Sequence, residues 1–334
     1  MRYLMIAIIA FLLFLSREYK NKKLLYFSAI VLILYSAFRV YIPGAVVGND
    51  YISYHTWYND LSVNSLLTIN NFLFNLFLFL VKIFFNNYEV AVFLECVLLI
   101  FSVYYFSIKI TNDNRYTFAI FVFLSFGIYD LSMSAIRQWV AGSIFLIAFE
   151  QIIKKDFKKY FIMILIASLF HNSAIGLLIV YPVVNLNIDL KKKIILEFLL
   201  TFLIYISLSF KLDVYLISLI DKTYLLKYLN TKDGALYANY TVFIISSFCF
   251  IMMYLQRKKY KENVQNYKVD YNYIMLLVIT SLLATKSALA CRFQQYFMPS
   301  LMLAIPGIVN TFEGKKKIFF YVSAVICLML VYIF

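Results

Sequence analysis

Polar chemistry is scarce in this chain. Its 334 residues include two histidines, four cysteines, four prolines and eight glycines, and only 14% of them are charged. Cys96, Cys249, Cys291 and Cys327 stand singly in or beside apolar segments. Neither a CxxC pair nor a Cys/His spacing occurs, so neither a zinc site nor a disulfide framework is expected, and the cysteines read as small packing residues. No DxD, HExxH, phosphate-cradling glycine loop or GxSxG is present. Metal-dependent sugar-nucleotide chemistry and P-loop ATP hydrolysis therefore have no visible machinery, and no metal or cofactor is expected. A soluble domain, a low-complexity linker and an internal repeat are lacking as well.

What is present is apolar: 63% of the residues are hydrophobic. Apolar runs recur along the whole length, at 3–16, 24–38, 71–85, 89–108, 116–136, 138–153, 160–184, 194–210, 240–256, 271–290, 293–312 and 318–334. Crossing the hydrocarbon takes about 20 residues. The expectation is an all-α, polytopic integral membrane protein with about 10–12 transmembrane or re-entrant helices, folded as one membrane domain over 1–334. Met1–Ser16 lacks a small-residue cleavage pattern and is followed at once by Arg17-Glu18, so it reads as a first span rather than a removed signal peptide.

The net charge of +14 resides in five short clusters, at 17–23, 154–159, 189–193, 257–268 and 313–317, which leave the rest neutral on balance. Basic loops between apolar spans mark the cytoplasmic side, which explains the charge without a nucleic-acid partner. With those clusters inside, two segments lie outside: 39–70 and 211–239, the latter amphipathic, Tyr-rich and suited to an interfacial helix. Residues 160–184 start and end beside inside clusters and are too short to cross twice as full spans. A hairpin of two half-helices with His171-Asn172 near its tip is the simplest solution, and such backbone at depth is tolerated where it lines protein or a wet cavity. Between the first two clusters lie five apolar runs where an even number of crossings is needed. Either 71–85, which carries Lys82, is re-entrant, or 116–136 and 138–153 are broken around Arg137.

Four cations then stand out. Arg39, Arg137, His171 and Arg292 sit in or beside apolar runs, and ionisable groups at bilayer depth normally face a cavity or pathway. Arg137 falls on one helical face with Asp130 and Ser134, so it either bridges Asp130 or receives an anion. A guanidinium is permanently charged and forks onto phosphate oxygens, which suits a diphosphate. His171 either packs or takes a proton from an attacking hydroxyl. Arg292 either snorkels at a helix end or joins the anion site. In the outer segment, Gly48-Asn49-Asp50 has the composition of a tight turn. Asp50 is either a turn residue or a carboxylate held at the membrane surface, ringed by Tyr51, Tyr54, His55, Trp57 and Tyr58. Those rings suit an interfacial belt or the stacking of sugars.

Four stretches in order, FRVYIPGAVVGNDYISYHTWY at 38–58, AIRQWVAGSIFLIAF at 135–149, KYFIMILIASLFHNSAIGLLI at 159–179 and CRFQQYFMPSLMLAIP at 291–306, resemble the EpsG-like branch of bacterial Wzy-type polysaccharide polymerases. The matching elements are Arg39 with Gly48-x-Asp50-Tyr51-x-x-Tyr54, Arg137-Gln138, Ala167-x-x-Phe170-His171-x-Ser173-Ala174, and Arg292 with Tyr296-Phe297 and Pro306. The resemblance implies a metal-independent glycosyltransferase in the bacterial cytoplasmic membrane, working at its outer face. It would transfer a glycan from undecaprenyl diphosphate onto another lipid-linked repeat unit, with membrane lipids around it and a chain-length regulator as partner. Asp50, His171 and Arg137 would be catalytic, and Arg39, Arg137, Arg292, Tyr51, Tyr54 and Tyr296 would bind diphosphate and sugar. Competing readings are a flippase for the same lipid-linked unit, another polyprenyl-phosphate-dependent glycosyltransferase, and a membrane acyltransferase. A flippase should need cations at both faces and often shows repeat symmetry. The second usually has an acidic pair where this chain has Asn49-Asp50, and the third lacks a His-acid motif here.

Overall fold

A computed structural model describes residues 2–42, 45, 47–63, 71–111, 115–185, 190–210 and 236–333. Every regular element among them is helical. In chain order the α-helices are α1 (Arg2–Glu18), α2 (Lys22–Ala37), α3 (Asn49–Asp60), α4 (Phe72–Phe85), α5 (Tyr88–Thr111), α6 (Tyr116–Ser125), α7 (Ile128–Ser134), α8 (Ile136–Ile153), α9 (Phe157–Phe170), α10 (Val180–Asn185), α11 (Leu190–Ser209), α12 (Leu236–Leu255), α13 (Arg257–Asn263), α14 (Tyr267–Ala284), α15 (Ala288–Phe297), α16 (Leu301–Asn310) and α17 (Gly314–Ile333). Polar residues of the short basic loops start two of them. The Asn21 side chain accepts from the Lys23 amide at 2.9 Å ahead of α2, and Asp156 accepts from the Lys159 amide at 3.1 Å ahead of α9, each satisfying an otherwise orphaned donor.

The chain is an all-α, polytopic membrane protein. Among the described residues α5 and α8 are long and apolar enough to cross a membrane. Two bent pairs qualify if each counts as one span: α6 with α7, bent by 58°, and residues 239–255 with α13, bent by 86°. This is fewer than the apolar runs suggest because helices break inside those runs. Gly127 (φ +72°) and Ala135 interrupt 116–153, His171 interrupts 160–184, and the 3₁₀ turn Met298–Ser300 with Pro299 interrupts 293–312.

Two compact units emerge, residues 1–181 with 314–334, and residues 182–313. In the first, α5 packs on α2 and α8, and α8 packs on α9. Phe106 and Phe149 meet edge to face at 5.3 Å, with Phe145 against Phe149 at 5.9 Å. Ala141, Ser143 and Ala148 are fully buried along α8; small side chains let helix backbones approach where lipid gives no hydrophobic drive for association. Buried hydroxyl pairs knit α2 to its neighbours, Ser28 with Tyr104 and Ser36 with Tyr129, each at 2.9 Å.

Two features of this unit position the site. α4 runs alongside α3: Phe74 near its start meets Tyr54 at 5.4 Å, and Lys82 near its end donates to the carbonyls of Asn59 (2.7 Å) and Leu61 (3.1 Å). α9 and the chain after it fold back as the expected hairpin. The Tyr160 hydroxyl donates to the Leu177 carbonyl at 2.5 Å, and Tyr181 meets Phe157 edge to face at 5.1 Å and Tyr160 at a tilt at 5.5 Å.

In the second unit α14 packs against α12 and α15. Asn239 donates to the Ala284 carbonyl at 2.9 Å, and Asn272 to the Val184 carbonyl at 2.5 Å. Tyr260, fully buried, donates to Asp270 at 3.0 Å. Its ring fills the space beside Gly307, where an added Cβ would lie 2.3 Å from the Tyr260 hydroxyl oxygen. Of the two outer segments inferred from charge, 43–44, 46, 64–70 and 211–235 lie outside the described residues.

Candidate active site

The first unit assembles six of the eight sequence-predicted residues. Arg39 lies on the 3₁₀ turn that ends α2 and is only 2% exposed. Its guanidinium donates to the carbonyls of Ser36 (2.7 Å) and Val47 (3.1 Å) and lies 5.4 Å from the Tyr51 ring centroid. It also lines a cavity of about 20 Å³ with Glu95, Cys96 and Trp139, a volume sufficient for one water. Burial of a guanidinium demands such compensation, and the Glu95 side chain lines the same cavity. Arg39 thereby fixes the chain at Val47, immediately before Gly48.

Gly48 has φ +86°, and a Cβ there would lie 2.2 Å from the Met133 carbonyl oxygen and 2.9 Å from Ser134 Cα. The segment before α3 is thus pressed backbone to backbone against the α7–α8 corner, and α3 starts one residue later. Asp50 occupies its first turn, where a carboxylate suits the helix dipole.

Tyr54, one turn on, is buried and joins two charges. Its hydroxyl accepts from Arg137 Nε at 2.6 Å and is hydrogen-bonded to the Asp50 carboxylate. Burial, the largest effect, raises its pKa, so it stays protonated and donates to Asp50 while it accepts from Arg137. The Arg137 guanidinium lies 5.0 Å from the Tyr54 ring centroid, 4.9 Å from Trp57 and 6.0 Å from Phe74, close enough for cation–π attraction. Asn71 completes the clamp. With its amide oriented to satisfy both neighbours, the oxygen accepts from Arg137 Nη1 at 2.9 Å and the nitrogen donates to the Phe170 carbonyl at 3.2 Å. Among the described residues these bonds engage two of the five N–H donors of Arg137, leaving three for an anion.

His171 directly follows Phe170 in extended conformation (φ −150°, ψ 114°) at the hairpin turn and is 9% exposed. The path Asp50–Tyr54–Arg137–Asn71–Phe170 carbonyl therefore brings α3, α8 and the hairpin tip together. Tyr51, also buried, donates to Glu89 and packs on Tyr88 at 5.4 Å, which ties α3 to the start of α5. Burial raises its pKa, with the Glu89 hydrogen bond adding to it.

The alternative of an Asp130–Arg137 bridge assumed one continuous helix. Ala135 (φ −111°, ψ 60°) breaks that helix, and Asp130 instead accepts a charged hydrogen bond from Arg2 at the start of α1. Arg292 and Tyr296 belong to the second unit, both on α15, which Ser287 caps at the Ala290 amide. Arg292 is partly exposed. Tyr296 is buried, and its carbonyl accepts from the Tyr273 hydroxyl at 2.9 Å.

The model of the EpsG family matches residues 42–334, which takes in every candidate residue except Arg39. The chain belongs to the EpsG family. No curated protein and no solved structure matches it. The family makes this EpsG member a membrane protein of polysaccharide biosynthesis.

Sequence reasoning missed Asn71 and Glu89, and read Glu95 only as an acid in or near a span, without a role. Asn71 stands at the polar edge of an apolar run, where nothing but the fold distinguishes it from a helix-start residue. Glu89 and Glu95 are acids at the head of a span, a signal by burial whose partners came only with the packing. Asn71→Ala should slow the EpsG member's reaction about tenfold, the size expected when a hydrogen bond to a charged group is lost. Asn71→Asp should recover part of that rate, since it still accepts from Arg137. Product formed in membranes at equal protein level checks both.

Proposed function

We propose that this EpsG-family protein is a polysaccharide polymerase that joins lipid-diphosphate-linked oligosaccharide repeat units by glycosyl transfer at the outer face of the bacterial cytoplasmic membrane. The observation that carries the reading is Arg137, gripped by Tyr54 and Asn71 under three aromatic rings, with three N–H donors uncommitted among the described residues. A preoriented guanidinium suits a group that gains negative charge as a bond breaks.

In the proposed step, the bond between the anomeric carbon of the donor glycan and its diphosphate oxygen breaks. The leaving diphosphate takes the electron pair and is stabilised by Arg137. An acceptor sugar hydroxyl bonds to the anomeric carbon, and its proton passes to Asp50, which the Tyr54 hydroxyl orients. His171, joined to the cluster through the Phe170 carbonyl, is the second candidate for that proton. The two are separable by pH profile: a carboxylate base keeps its activity to lower pH than an imidazole base does. Arg39 holds the segment before Gly48 in place. Arg292 and Tyr296 are assigned to binding the lipid-linked substrate. The energy resides in the lipid-diphosphate bond, so no nucleotide is required.

The decisive experiment is the gel profile of surface polysaccharide from a strain lacking this gene. Loss of the long ladder with a single repeat unit still displayed is the expected result. Loss of every repeat unit from the surface, with lipid-linked units held inside, would assign a flippase instead.

A further inference from the structure

A second concavity in the first unit lies away from Arg137 and is built quite differently. It holds about 360 Å³ between α1, α6 and α17. Its walls are apolar, with Leu13, Phe14, Phe121, Ile318 and Val325 along them, and the tilted pair Phe118–Tyr321 at 4.6 Å closes α6 onto α17 beside it. Its mouth is charged, with Arg17 from the last turn of α1 and Lys317 from the first turn of α17; Glu18 is the one acid in the lining. Lys315 and Lys316, both exposed, adjoin Lys317.

The orientation of the groove follows from the sequence. The end of α1 and the start of α17 each carry a basic cluster, 17–23 and 313–317, and the start of α6 lies at the same mouth through Thr117. Basic clusters mark the cytoplasmic side, whose leaflet is anionic. Along α1 the lining runs from Arg17 back to Ala10, about 10 Å of helix, and along α17 from Lys317 on to Val325, about 12 Å. That covers most of one leaflet of a core about 30 Å thick. Phe14 in the wall and Phe11 on the neighbouring face of α1 are 56% and 60% exposed, as expected of a helix bordering lipid tails.

We propose that this groove is a binding site for one anionic glycerophospholipid of the inner leaflet, its acyl chain along the α1–α6–α17 walls and its phosphate held by Arg17 and Lys317. An apolar slot of acyl-chain depth beneath two cations matches such a lipid, whereas a zwitterionic headgroup brings its own cation to the same mouth. The site is separate from the proposed polymerase centre and stands whether or not that reading holds. Its effect is structural: one lipid joins the first and last helices of the unit across α6.

Native mass spectrometry of the full-length protein in detergent tests this, titrating phosphatidylglycerol and, separately, phosphatidylethanolamine. One phosphatidylglycerol per chain should be retained in preference to phosphatidylethanolamine, and the Arg17→Ala, Lys317→Ala double variant should weaken its binding about thirty-fold, from about 1 kcal/mol per cation near an anionic surface. Ala10→Trp, which leaves both cations in place and fills the slot, should displace the lipid as well and serves if the charge variant does not fold. Equal retention of the two lipids would overturn the proposal. So would undiminished phosphatidylglycerol binding by either variant, or a dimer through this face that excludes lipid.

Discussion

Arg137→Ala should lower repeat-unit transfer by about 10²–10³-fold, the loss typical of removing one preorganised donor at a site of developing charge. The protein should still insert and accumulate in the membrane. The guanidinium lies at the start of α8, outside the helix–helix packing that Phe145, Phe149 and Ala141 make further along, so its removal leaves that core intact. Arg137→Lys should recover little. The arginine holds Tyr54 through Nε and Asn71 through Nη1 while, among the described residues, three further N–H groups remain for an anion; an ammonium has three donors in all and no plane to lay against Tyr54 and Trp57. Product length on gels, with membrane content by immunoblot, checks both variants. Wild-type ladders from Arg137→Ala would remove the diphosphate role.

The same residue shows how far the sequence reaches. That Arg137 needs polar partners was legible because an arginine inside an apolar run has few explanations. The hairpin at His171 followed from charge and length alone: two inside clusters and too few residues for two spans. Upstream, α4 contacts the α3 region near both of its ends, and the 116–153 stretch is broken at Gly127 and Ala135.

What the sequence could not supply is which polar atoms meet. Tyr54 and Arg137 are 83 residues apart, and Tyr51 and Glu89 are 38 apart. In an apolar chain the hydrophobic pattern is nearly uniform around each helix, so it carries little information on which faces pair. Tyr54 therefore read as one ring among several suited to sugar stacking. Its buried hydroxyl between Asp50 and Arg137 gives it a bridging part that ring count alone does not reveal. Asp130 illustrates the opposite error. Its spacing to Arg137 was suggestive only under an unbroken helix, and the break at Ala135 assigns it to Arg2 instead.

Gly48→Ala should disable the site about as completely as Arg137→Ala, although it adds a single methyl group and touches no substrate. Two independent penalties apply. At φ +86° a side chain is strained whatever the space. The added Cβ would also lie 2.2 Å from the Met133 carbonyl oxygen and 2.8 Å from its carbon, so backbone must move against backbone, which has no flexible end to give way. The misfit is of the overpacking kind, about 1–3 kcal/mol or more. It falls between two fixed points, Val47 held by Arg39 and Tyr51 held by Glu89. The easiest relief is for the Gly48–Tyr54 segment to lift from the α7–α8 corner, and that separates Asp50 and Tyr54 from Arg137. The expected outcome is normal membrane insertion, loss of chain extension, and faster protease cleavage in 47–63 than in the wild type. A variant that extends chains normally would show that the close contact of Gly48 with Met133 and Ser134 is not what aligns the carboxylate with the guanidinium. A smaller defect in Ser134→Gly, Gly48→Ala than in Gly48→Ala alone would be no surprise, since Ser134 Cα lies 2.9 Å from the new Cβ and a glycine there gives the corner freedom to yield.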